Sequence, residues 1–99
     1  MEDNFYWVAV ASWGGITEKA QALASDKAAS IAAKEQVAQL VFDKVTQQHG
    51  DDVAKHAKRM PLALYAVDVA DIDEVTLAGP QLLVMGLPVW MISLEQISV

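Results

Sequence analysis

The chain has 99 residues, a net charge of −6 and no cysteine. This length predicts one domain, residues 1–99, and the absence of cysteine excludes disulfides and thiolate metal sites. Hydrophobic residues make up 54% of the chain, above the usual ~45–50%, although a chain this short buries only about 60–70% of its unfolded surface. We therefore expect exposed apolar surface that a partner or a second copy covers.

The first predicted element is a strand over residues 5–13, FYWVAVASW, which is rich in aromatic and β-branched residues. Alternate residues form two faces that are both largely apolar, which predicts a central strand. Gly14 and Gly15 follow and predict a hairpin turn, because glycine takes positive φ without steric cost. Residues 16–24 are then either the return strand, which we favour, or the start of a helix from Thr17 to Gln48 that is too long for this domain.

The next predicted element is a long amphipathic helix over residues 25–50, SDKAASIAAKEQVAQLVFDKVTQQHG. Ser25 is a suitable N-cap, Asp26 complements the helix dipole, and Gly50 suits the C-terminal end. At about 100° per residue the apolar side chains share one side. The residues expected there are Ile31, Ala38, Val41, Phe42 and Val45, with Val37 at the margin of that side. Lys34 falls in this sector, so we expect its stem along the core and its amine in water.

A short second helix is predicted over residues 53–59, ending before Met60-Pro61 because a residue that precedes proline avoids the α region. Residues 62–69, LALYAVDV, predict a second strand with two alternating faces. The acidic residues 71–74 form either a loop or a single helical turn that begins with a capping box.

Residues 76–94 carry no charge. Proline and glycine interrupt this run, so we predict two buried strands, residues 81–85 and 89–94, rather than a membrane span. Trp90 is then a core residue, as is Trp7. The predicted fold is α+β, with an antiparallel sheet of about four or five strands, one long helix packed on one face and a short second helix.

The distribution of charge indicates the kind of partner. All seven lysines and arginines precede Met60, and the residues after it carry five carboxylates. Because phosphate contacts need lysine or arginine, we expect no direct nucleic-acid binding and favour a protein partner with a basic surface. The N-terminal residues MEDNFYW lack a basic region, so we expect no secretory signal, no membrane partner and a cytoplasmic location.

The sequence contains no GxSxG, HExxH, P-loop or GxGxxG pattern. We interpret His49 and His56 as a helix-end and an exposed histidine, and expect no enzymatic activity, no cofactor and no metal site. The acidic group does not match the spacing of a calcium-binding loop, so it is either a set of solvated loop charges or a patch for a protein partner. The residues predicted to bind a partner are Trp13, Asp68, Asp71, Asp73 and Glu74. Trp13 either anchors an interface or packs over the edge of the core.

The first strand, the turn and the Ser25-capped run AASIAAKEQ resemble an arrangement in small phage-encoded proteins, including some anti-CRISPR proteins. The resemblance implies a small inhibitor that binds a host defence complex stoichiometrically, often on a basic nucleic-acid groove, and it assigns no functional residue. Two alternatives stay open. One is a homo-oligomeric structural or accessory subunit with residues 76–94 buried between copies, and the other is an immunity protein that neutralises a toxin.

Overall fold

The computed structural model describes residues 4–24 and 28–99. The elements in chain order are β1 (Phe5–Trp13), β2 (Ile16–Leu23), α1 (Ala28–His49), α2 (Asp51–Ala54), β3 (Arg59–Asp68), β4 (Val75–Ala78), β5 (Gln81–Val84), β6 (Leu87–Pro88) and β7 (Met91–Ser98). Two 3₁₀ helices, Lys55–Lys58 and Val69–Glu74, precede β3 and β4. The predicted α+β class is confirmed, whereas the predicted cap at Ser25 and the charge at Asp26 lie outside the described residues.

The main sheet has four antiparallel strands in the order β2-β1-β3-β7. The central strand β1 pairs Ala9 with Ala20 of β2 on one side and with Leu64 of β3 on the other. Gly14 and Gly15 have φ angles of 59° and 83° and form the two-residue turn between β1 and β2. The strand interpretation of residues 16–24 is therefore the correct one.

Helix α1 packs on one face of this sheet. Its buried stripe consists of Ala33, Val37, Ala38, Val41 and Val45, and the partly buried Phe42 packs against the same cluster. The prediction for Ile31 is wrong, since its side chain is 55% exposed. The buried residues follow an i, i+4 spacing from Ala33. Ile31 lies two residues before Ala33 and is rotated roughly 200° from it about the helix axis, so it faces solvent.

The small antiparallel sheet β4-β5-β6 covers part of the opposite face of the main sheet. Leu82 of β5 is fully buried there, in a cluster with Val8, Val10, Ala63, Tyr65 and Val67. Both faces of β1 and β3 are therefore buried, as their apolar alternation predicts.

The last third of the chain departs most from the prediction. Strand β7 runs over Met91–Ser98 at the edge of the main sheet, not over residues 89–94 in its interior. Trp90 is 92% exposed, so its assignment to the core is wrong. The chain crosses from the small sheet to the main sheet at Val89 and Trp90, and the small sheet does not extend over β7.

The second helix is also shorter than predicted. The α-helical part is Asp51–Ala54, and Lys55–Lys58 continue as a 3₁₀ helix. Strand β3 already begins at Arg59, because the residues around Met60-Pro61 prefer extended backbone.

Candidate protein-binding surface

An apolar groove of about 670 Å³ lies where the small sheet meets the main sheet. Its lining comes from both sheets and from the connection between them, and comprises Ala63, Tyr65, Pro80, Gln81, Pro88, Val89, Trp90, Met91 and Leu94. The amide of Gln81 donates to the backbone oxygens of Leu82 (2.8 Å) and Val89 (3.4 Å). The NH2 group of this amide is therefore hydrogen-bonded within the chain, and the groove presents mainly apolar surface.

Sheet register explains the position of the groove. Ala63 pairs with Leu94 and Tyr65 pairs with Met91, and directly opposed residues of an antiparallel pair share one face. The small sheet buries Ala63 and Tyr65 on that face but leaves Met91 and Leu94 exposed. The β7 part of this face is therefore open to solvent.

Several large apolar side chains around the groove are exposed. Trp90 is 92% exposed and Leu94 67% exposed, and Met91 and Ile92 are exposed beside them. We call these four residues the apolar face. Large contiguous apolar patches on soluble proteins commonly mark interaction sites, and tryptophan is enriched among the residues that dominate binding energy.

Strand β7 also has a free outer edge, since no strand in the described ranges pairs with that side. Its register shifts between Leu64 and Tyr65 of β3, which leaves Ile92 as an extra residue without a partner. The edge at the other end of the sheet, β2, carries Glu18 and Lys19, and charges on an edge strand discourage pairing with another chain. In contrast, β7 has one charged residue, Glu95.

Glu95 is already engaged within the chain. Its carboxylate lies 2.9 Å from Nζ of Lys34 on α1 and accepts a hydrogen bond from Oγ of Ser93 at 3.2 Å. The hydrogen bond from Lys34 lowers the pKa of Glu95, with partial burial acting in the opposite direction. The one charge on the edge strand is thus compensated on the helix side of the sheet.

The four acidic residues predicted to bind a partner lie close together in the structure. Asp68 ends β3 and caps the following 3₁₀ helix by accepting a hydrogen bond from the backbone N–H of Ala70 at 2.8 Å. That helix, Val69–Glu74, carries Asp71, Asp73 and Glu74. Within residues 4–24 and 28–99, these four carboxylates form no ion pair.

Trp13 lies far from these carboxylates. It ends β1 beside Gly14, whereas Phe5 at the start of β1 pairs with Asp68. Eight residues of strand separate the two ends, or roughly 26 Å at ~3.3 Å per residue. The side chain of Trp13 is partly buried and packs against the helix-side core, so the fold does not combine Trp13 and the acids into one compact surface.

His49 and His56 are exposed and lie on different helices, separated by Gly50 with a φ of 86°. In the described part of the chain, no group of three histidine, aspartate or glutamate side chains is arranged to hold a metal ion. Among the helices of the same residues, none combines the length and apolar character needed to cross a membrane.

The fold and this surface define a small α+β protein with an open apolar groove beside a free edge strand. Comparisons with protein-family models, curated proteins and solved structures give no match for the chain. Sequence reasoning missed the groove and the Lys34–Glu95 pair. The signal that points to the groove is the charge-free run of residues 76–94, which by its pattern predicts buried strands.

Proposed function

We propose that this protein is a self-associating structural or accessory protein, whose copies bind each other through the apolar face. One observation carries the proposal: Trp90, 92% exposed, lies beside an apolar groove of about 670 Å³. A tryptophan side chain buries about 150–250 Å² when it is covered, so leaving it in water forgoes a large hydrophobic stabilisation. The charge-free run of residues 76–94 supplies this surface.

The charges around the groove favour a second copy over a strongly charged partner. No groove-lining residue is charged, and the neighbouring Glu95 is compensated by Lys34. A basic partner would meet no opposite charge at this groove, whereas two apolar faces can bury each other's hydrophobic surface. The net charge of −6 still opposes association at long range, and salt screens that repulsion over a Debye length of about 8–10 Å.

Light scattering of the purified chain tests this proposal. We expect a dimer or larger assembly at micromolar concentration, and tighter association as salt is raised because like-charge repulsion is screened. Trp90→Ser removes the exposed ring and should weaken association. The control is Leu87→Ser, at a leucine that is 70% exposed and lies outside the groove lining. A wild-type chain that stays monodisperse and monomeric at both salt concentrations contradicts the proposal.

A second candidate function rests on the acidic 3₁₀ helix. Asp68, Asp71, Asp73 and Glu74 are grouped at one end of β3 without a cation partner among the described residues. Such a group favours stoichiometric binding to a basic protein surface, as in an inhibitor of a host defence complex or an immunity protein. Complementary charge raises the association rate and makes binding sensitive to salt.

Capture from host lysate at low and high salt tests this second candidate. We expect a basic partner that is released by high salt and lost by the triple variant Asp71→Asn, Asp73→Asn, Glu74→Gln. The control variant Asp51→Asn, Asp52→Asn removes two exposed carboxylates on α2 and should retain the partner. An acidic partner, or capture that is insensitive to salt and to the triple variant, contradicts this function.

A further inference from the structure

We propose that β7 pairs antiparallel with β7 of a second copy, so that the two main sheets join into one eight-stranded sheet with Leu94 at the two-fold axis. This inference rests on the self-association proposed above and specifies its geometry. Three features carry it: the free outer edge of β7, the single compensated charge on that strand, and the exposed apolar face beside it.

The free edge supplies the hydrogen bonds. Strand β7 has eight residues, and β3 pairs with only one of its sides, so a row of backbone N–H and C=O groups points outward. An exposed edge of this kind is a template for another strand. Two copies of the same edge, related by a two-fold axis, form a closed antiparallel pair, which limits the assembly to a dimer.

The two edges of the sheet differ in what they permit. Strand β2 carries Glu18 and Lys19, and Glu18 forms an ion pair with Lys44 of α1. A chain that approached β2 would have to accommodate these charged side chains. Strand β7 contains no lysine, arginine or proline, and its lone carboxylate is held by Lys34, so pairing is directed to β7.

Charge and hydrophobicity together select the register. Pairing centred on Glu95 would place two carboxylates directly opposite each other, which is destabilising. Pairing centred on Gln96 would leave Leu94 opposite Ser98 of the partner subunit. Pairing centred on Leu94 places two leucines together, each 67% exposed in the single chain. The same register sets Ser93, rather than a carboxylate, opposite Glu95 of the partner subunit, so the two Glu95 side chains do not face each other directly.

The Leu94-centred pair also completes the groove. Leu94 lines the groove, and opposed residues of an antiparallel pair lie on one face. The copy's strand therefore extends the groove floor on its open side and covers apolar surface next to Met91. The two helices α1 then lie on one side of the joined sheet and the two grooves on the other.

Cysteine cross-linking tests the register, because the chain has no cysteine of its own. Leu94→Cys places one thiol at the proposed axis, where it should form an intersubunit disulfide under mild oxidation. Leu87→Cys is the matched control, since Leu87 is 70% exposed but lies on β6 outside the groove lining. A pair of thiols held together reacts at millimolar effective concentration, so at micromolar protein we expect cross-linking at least about tenfold faster for Leu94→Cys than for Leu87→Cys.

A charge at the axis gives an independent readout. Leu94→Glu would bring two new carboxylates together at the axis, and like charges juxtaposed across an interface oppose association. We expect the dimer to dissociate while circular dichroism of the monomer stays unchanged, because residue 94 is exposed in the single chain.

The outcomes separate this inference from the proposed function. A wild-type dimer whose Leu87→Cys variant cross-links as fast as Leu94→Cys, or that tolerates Leu94→Glu, overturns the β7 pairing but leaves self-association standing. A monomeric wild type overturns both. A monomer whose tryptophan emission shifts only when another polypeptide is added assigns the apolar face to a different partner and likewise overturns the β7 pairing.

Discussion

The ammonium group of Lys34 lies 2.9 Å from the carboxylate of Glu95, and this ion pair joins the first third of α1 to the edge strand β7. Both side chains are partly exposed, at 21% and 37%. The pair therefore anchors an edge strand that the small sheet leaves uncovered, at the position where a charge would otherwise face an incoming strand.

This ion pair predicts a pH-dependent contribution to stability. Because Lys34 lowers the pKa of Glu95 in the folded chain, the pair stabilises the fold above the unfolded pKa of about 4.3. The contribution is lost as pH falls through the lowered folded pKa. For Glu95→Gln we expect a loss of about 0–1 kcal/mol in the free energy of unfolding at pH 7, and a smaller difference from wild type at acid pH.

Urea unfolding of dilute protein at neutral and acid pH measures this effect. Glu35→Gln is the control, because Glu35 is exposed on α1 and takes part in neither ion pair of the described residues. A Glu95→Gln difference that is equally large at both pH values would contradict the role of the Lys34–Glu95 pair.

Substitution of Leu82 measures how much the packing of the small sheet on the main sheet contributes to stability. Its side chain is fully buried against β1 and β3, so Leu82→Ala removes buried methyl groups and leaves a cavity. We expect a loss of about 2–5 kcal/mol in the free energy of unfolding. Leu87→Ala, at an exposed position of the same sheet, should change stability by no more than about 0.5 kcal/mol. Equal effects of the two substitutions in urea unfolding would mean that the small sheet does not pack as described.

The turn between β1 and β2 allows a test of backbone strain in which side-chain packing plays no part. Gly14 has a φ of 59°, and a Cβ added there would meet no atom within 4 Å. Gly14→Asn should be tolerated, because asparagine accepts left-handed backbone and is common in such turns. Gly14→Val should cost about 1–2 kcal/mol. Thermal melts of both variants measure the difference, and a valine variant as stable as the asparagine variant would refute it.

The buried alanines of α1 indicate that only small side chains fit between this helix and the main sheet. Ala33 is buried in the helix-side core, where its small side chain lets the sheet approach. Ala33→Leu should overpack this contact and cost about 1–3 kcal/mol. Ala32→Leu, one residue earlier and exposed, should be nearly neutral. Should Ala33→Leu unfold at the same urea concentration as Ala32→Leu, the close approach of helix and sheet would be disproved.

The first two thirds of the fold could be predicted from sequence because their patterns leave few alternatives. Strand β1 and helix α1 each show the periodic spacing of apolar residues that their secondary structure requires. Gly14 and Gly15 add a local turn signal between β1 and β2. The pattern of the return strand is less specific, since alanine-rich residues suit a helix as well as a strand.

The last third could not be predicted, because burial there depends on long-range topology. An apolar segment such as residues 89–94 has the same sequence pattern whether it lies inside a sheet or at its edge, and only the order β2-β1-β3-β7 places β7 at the edge. The candidate site has the same origin. Ala63 and Leu94 both line the groove because they are paired across β3 and β7. Nothing in the sequence indicates that these two residues are neighbours.

The pairing of Ala9 with Leu64 at the centre of the main sheet has a kinetic consequence. Strand β2 and both α-helices lie between these partners along the chain, so a long loop must close before the middle of the sheet exists. Topologies dominated by such distant pairings fold in about milliseconds to seconds, compared with microseconds for the fastest helical bundles. We expect the β1–β2 hairpin to form earlier, because its strands are adjacent in the chain. The edge of β1 that later pairs with β3 is then open to pairing with other chains.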